Sequence, residues 1–237
     1  ETTDNPLLQK WDTPFKTAPF EKIKVEHYLP AFEAAIAEHN KEIQAIIDNA
    51  EAPTFDNTIA ALDYSGETLS KVAGVFGNMM AANTSEELQK VNEQVGPMMA
   101  THSDNVSMNA KLFEKIKAVY DAKDSQKYTG EQLALLEKTY NKFVRSGALL
   151  DAAKQEELRK VNAELTKVEA KFDANLLKET KAYQLVVEKE EDLKGLPQGE
   201  IEKAAALAKS EGKEGKWIFT LDNPSFIPFV TYADKRD

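Results

Sequence analysis

Cysteine is absent from this chain, and histidine occurs only three times in 237 residues. The first absence excludes disulfides, thiol catalysis and every zinc site built on Cys. No H-E-x-x-H occurs, so the helix-borne zinc pair of a metalloprotease is missing from these residues. A Gly-rich phosphate loop, G-x-S-x-G and a Ser/His/Asp spacing are missing as well. The 40 Asp and Glu leave a carboxylate-only Ca or Mg site open, but no D-x-D-x-D-G loop organises one. No apolar run approaches transmembrane length, and no basic amphipathic helix carries Trp or Phe anchors, so membrane insertion is not expected. Net charge is −10, with acids and bases interspersed, which argues against nucleic acid as a partner. The Lys-rich run "KSEGKEGK" reads as a solvated loop. No repeat of period 20–50 stands out.

Among the residues present, "VEHYLPAFEAAIAEHNKEI" (25–43) raises the question of metal, with Glu-His pairs at 26–27 and 38–39. A zinc helix needs two His at i and i+4 on one face. His27 and His39 are twelve apart, roughly 18 Å along a straight helix. Pro30 suits a first helical turn, which puts His27 before the helix and His39 within it. Phe32, Ala35, Ile36, His39, Ile43, Ile46 and Ile47 then form one apolar stripe. His102 falls on another: Leu88, Val91, Val95, Met99, His102, Val106. Both read as packed histidines rather than as ligands, His39 with one hydrogen-bond partner. The metal reading fails.

The fold class expected is mainly α, an antiparallel helical domain with a small β element near the C-terminus. Residues 1–29 read as an irregular arm anchored by Leu7, Leu8, Trp11, Phe15, Phe20 and Ile23. A helical domain spans 30–181, and a mixed strand–helix–strand segment spans 182–237. The spacing predicts helices over 30–49, from an N-cap at Asp56 or Asn57 to about Asn83, and from a Thr84/Glu87 capping box onward. Gly66, Gly74 and Gly77 imply close backbone approach or a distortion in the second of these. Gly96-Pro97 should kink or split the third. Thr129 and Gln132 form another capping box, and Gly147 ends the helix they start. The stripe Leu158, Val161, Leu165, Val168, Phe172, Leu176 marks one long helix, expected to pack antiparallel on the second. "YQLVV" and "WIFTL" read as strands around a helix at 198–210, and "DNPSFIP" as a turn.

The stretches "NPLLQKW", "PFEKIKVEHYLPAFEAAIAEHNKEI", "PTFDNTIAALDYSGETLSKVAGVF", "KFVRSGALLDAAKQEELRKVNAEL" and "LKGLPQGEIEKAAALAKSEGKEGKWIFTLDNPSFIPFV" resemble the N-terminal region of the M3 zinc metallopeptidases. Within that family the similarity is to the bacterial peptidyl-dipeptidases (dipeptidyl carboxypeptidases), and it runs along nearly the whole chain. The resemblance implies a helical enzyme with a deep peptide channel and a zinc ion on H-E-x-x-H plus a downstream Glu. The metal there polarises the scissile carbonyl while the motif Glu activates water. None of those residues occurs here. They are expected beyond position 237, so this chain alone is expected to lack zinc and activity and to pair with its own C-terminal catalytic domain. The alternative is a complete, non-catalytic helical peptide-binding or interaction protein. The chain starts at Glu1, and "ETTDN" reads as a polar leader. A removed signal peptide implies the periplasm or cell envelope, and its absence the cytoplasm.

The resemblance also requires a channel wall. Phe76, Asn78, Met79, Met80 and Asn83 in "FGNMMAAN" are the candidates to line it. The methionines adapt to varied side chains, and the amides can pair with peptide N–H and C=O groups. Plain core packing is the competing account of Phe76 and Met80. Asn78 discriminates, because it lies off the apolar stripe.

Overall fold

The computed structural model describes residues 4–235. The chain divides into two compact units, Glu1–Lys167 and Val168–Asp237.

In the first unit, α1 (Tyr28–Asp48) begins with Pro30 in its opening turn and His27 just outside it. The arm before it is pinned through Leu7, which is fully buried, and through Asn5 Nδ2, which donates to the His27 carbonyl at 2.8 Å. Trp11 Nε1 donates to the Pro6 carbonyl, with the Lys71 ammonium 4.7 Å over the ring. Phe15 and Phe20 are not anchors: Phe15 is fully exposed at φ +58° and Phe20 is exposed.

The expected second helix is three pieces. Thr54 caps a π-type segment, Phe55–Ala60, through a reciprocal bond pair with Asn57, so the cap lies earlier than Asp56. After α2 (Ala61–Tyr64) the chain breaks at Ser65-Gly66 and restarts as α3 (Glu67–Ala82). The break is at Gly66 because its φ is +74° and a Cβ there would meet the His39 ring at 3.1 Å.

Ser85, not Thr84, starts α4 (Glu86–Ser107) by accepting from Leu88 N–H at 3.2 Å. Thr84 Oγ1 is turned to Met80 Sδ instead. Pro97 does not split α4, which runs through it as one helix. Asn109 caps α5 (Ala110–Asp121), and the Thr129/Gln132 box caps α6 (Gly130–Arg145). Gly147 follows α6 at φ +94°.

Two apolar clusters fill this unit. One gathers Leu7, the first half of α1, α3 and the first half of α4. The other gathers Ile43 and Ile46 of α1, the π-type segment, α5 and α6.

The 31-residue α7 (Ala152–Ala182) runs from the first unit into the second, and none of its residues is buried. Its expected packing on the second helix is not what is seen. Its polar contacts go to α4, through Asn162 Nδ2 to Asp104 and Arg159 to Asn105, and to the Gly147 carbonyl through Gln155 Nε2. Val161, Leu165, Val168, Phe172 and Leu176 stay exposed.

The second unit holds an antiparallel pair, β1 (Leu185–Val187) and β2 (Trp217–Phe219), with Val186 opposite Ile218. Between them, α8 (Gln198–Ser210) packs on β2. "DNPSFIP" is not a plain turn but opens α9 (Asn223–Tyr232). Its Pro224 presets the φ of a first turn at no cost in hydrogen bonds. The architecture is thus mainly α with a small β element near the C-terminus.

Candidate functional site

The five channel candidates sit on or just after the second half of α3, and the helix separates them by face. Phe76 is buried and meets Tyr28 and Phe32 edge-on, at ring centroid distances of 5.0 and 5.5 Å. Met79 and Met80 are half-buried against the same cluster. Asn78 is exposed, and Asn83 is exposed at the C-cap.

A second observation bears on the outer face. Gly74, Gly77, Asn78 and Ala81 follow the spacing i, i+3, i+4, i+7, and all four are exposed. A Cβ on Gly74 or Gly77 would meet nothing within 4 Å. Each glycine weakens the helix by about 1 kcal/mol relative to Ala. Gly66 explains itself by its backbone and the His39 ring; no contact explains these two. The strip is bare backbone flanked by one carboxamide and edged by two adaptable thioethers.

The histidines come together in a way no linear motif shows. His39 and His102, 63 residues apart, share a 2.8 Å contact between Nδ1 and Nε2. His39 Nε2 lies 3.1 Å from Ser65 Oγ. His39 therefore has two partners where one was expected. Their positions on two apolar stripes were the available signal, and the pairing of those stripes was not legible. Burial chiefly lowers both histidines below 6.5. For His39, Glu42 opposes this and Lys142 adds to it; for His102, His39 adds to it. His27 Nδ1 accepts from Lys24 N–H instead. These residues do not fit a zinc centre, because the paired imidazoles spend facing nitrogens on each other and the third lies apart. Among the described residues, no group of three or more His, Cys, Asp or Glu could hold a metal ion.

A family profile, "Neurolysin/Thimet oligopeptidase, N-terminal domain", matches residues 32–155, more than half of the chain. The dipeptidyl carboxypeptidase of Escherichia coli (strain K12) is 35% identical over 236 residues, covering 100% of this chain. The chain belongs to the M3 peptidase family, as an N-terminal domain. The dipeptidyl carboxypeptidase of Salmonella typhimurium is 35% identical over 233 residues, 98% of this chain. A probable cytosolic oligopeptidase A of Arabidopsis thaliana is 28% identical over 240 residues, 99% of this chain. In each case the M3 N-terminal domain spans 34% of the relative's length. Within it, no helix among the described residues is long and apolar enough to cross a membrane.

Proposed function

We propose that this M3 N-terminal domain forms one wall of the peptide channel in a zinc-dependent peptidyl-dipeptidase that releases C-terminal dipeptides. The observation that carries the reading is end-to-end similarity, at 35% identity, to a protein named for that activity and about three times as long. The zinc and its ligands then belong to a catalytic domain after the 182–237 segment, and this chain alone is inert.

Two features of the surface support a larger assembly. The exposed stripe of α7 is too apolar to stay bare on a finished surface, and the catalytic domain is its occupant in this reading. The open strip of α3 suits close approach by an extended peptide, whose backbone can reach the Asn78 and Asn83 amides. Phe76 serves from behind, holding the strip through its ring contacts with Tyr28 and Phe32 in the core.

The reading frame past codon 237 tests this directly. An in-frame H-E-x-x-H supports it, whereas a natural stop codon favours the non-catalytic interaction protein. Zinc calorimetry on this chain at neutral pH should show no tight site. One stoichiometric, submicromolar site would overturn the assignment of zinc to another domain.

A further inference from the structure

The histidine pair lies at a seam. On α1, His39 falls between Ala35 of the first apolar cluster and Ile43 of the second. On α4, His102 falls between Met99, packed on the first, and Val106, packed on the second. Between α2 and α3, Ser65-Gly66 falls between Leu62 of the second and Leu69 of the first. Three successive elements thus carry polar groups at one level, where the apolar packing changes hands.

Counting protons assigns this layer a direction. Ser65 has one hydroxyl hydrogen, and it goes to the Leu62 carbonyl at 2.7 Å. His39 Nε2 must therefore donate to Ser65 Oγ, which leaves His39 Nδ1 as an acceptor. His102 Nε2 then donates to it, and His102 Nδ1 keeps a bare lone pair. Among the described residues, that atom is the buried side-chain nitrogen without a hydrogen-bond partner, in a residue only 6% exposed. Beside the relay, Glu42 accepts the Gly66 N–H at 2.7 Å, so the break is tied to α1 twice.

We propose that the Ser65–His39–His102 relay is a proton-operated latch across this seam, closed while His39 Nδ1 is free to accept and released once both imidazoles have taken up a proton. A first proton enters at His102 Nδ1, and the bond between the rings survives it. A second must go to His39 Nδ1, where it faces the His102 N–H, and the rings must part. The pair titrates in two coupled steps. The charged groups around it are Glu42 and Glu38 on α1, Lys142 on α6 and Asp104 on α4; Glu38 accepts from Thr68, and Asp104 from Asn162. Burial outweighs their balance, since both histidines lie below 6.5. The unfolded chain therefore binds protons that the folded chain refuses. Stability is full above 6.5 and falls as pH drops from there toward the lowered folded values. The latch does not depend on the peptidase reading, since every group in it lies in this chain.

The test uses the intact chain. Long-range proton–nitrogen NMR at pH ~8, where imidazole is neutral, should find both rings as Nε2–H tautomers. On lowering the pH, the Gly66 amide should shift together with the His39 and His102 rings. In urea, the unfolding constant should rise about tenfold per pH unit for each proton bound only by the unfolded chain. His102→Gln keeps a donor toward His39 and removes the bare nitrogen, so its pH slope should lose one proton. An Nδ1–H tautomer on either ring, a Gly66 amide indifferent to the titration, or equal slopes in the two proteins would overturn the latch. Should the Gln variant not fold, the wild-type NMR titration decides by itself.

Discussion

Phe32 on α1 and Phe172 on α7 each sit in a periodic apolar stripe, yet Phe32 is 1% exposed and Phe172 is 65% exposed. Both helices form for local reasons: good helix formers, period near 3.6, and caps where the chain must turn. They differ in what lies opposite. α1 is met by α3 and α4 on its first half and by α5 on its second, so its stripe is enclosed. α7 touches α4 through Asn162 and Arg159, which turns a polar face inward and leaves the apolar one out. Periodicity therefore reports that a helix has an apolar face. It does not report that this chain covers it.

The sharpest way to break the comparison is to truncate both rings. Phe32→Ala should destabilise the chain by about 3–5 kcal/mol, through lost burial and a cavity. Phe172→Ala should change stability by about 0.5 kcal/mol or less, as exposed substitutions do. Urea melts of the two proteins decide it. Equal losses would mean that α7 is covered in solution.

Within α1 the next effect down concerns the stripe's one polar member. His39→Ala should cost about 1–3 kcal/mol, because it strands the His102 Nε2–H and takes a donor from Ser65 as well as leaving a void. Melts at pH ~8, with neutral rings, make the cleanest comparison. A wild-type midpoint would show that the seam contributes nothing to the fold.

Smaller still, and opposite in sign, are the glycines of α3. Gly74→Ala and Gly77→Ala should each stabilise the isolated chain by about 0.5–1 kcal/mol, since the added methyl meets nothing. A loss of stability at either site would reveal a neighbour packed against that strip. In a longer enzyme the same changes should weaken peptide binding, and a rise in KM would register it.

Asn78→Ala should leave the melting temperature of this chain alone. In the peptidyl-dipeptidase proposed above it should raise KM for peptides with zinc content unchanged, because uniform binding is lost there rather than turnover. An unchanged KM across several peptide lengths would return this face to plain solvent.

Much of the secondary structure was legible from the residues. α1, α6 and α8 lie where period and caps put them, because capping and amphipathicity act within a few residues. The misses have physical causes of the same range. Thr54 and Ser85 won the caps over their neighbours because their hydroxyls reach the third N–H onward. "DNPSFIP" could start a helix as readily as a turn, since Asp and Pro serve both.

By itself, then, the sequence determined the family, the helical class, the starts and stops of most elements, and the lack of a zinc motif. All of these are properties of short stretches read in order. Tertiary structure alone decided that His39 meets His102, that Gly66 breaks its helix against an imidazole, and that α7 shows its apolar side to solvent. Each depends on which faces meet across tens of residues, and a 3.6-residue period carries no information about its partner.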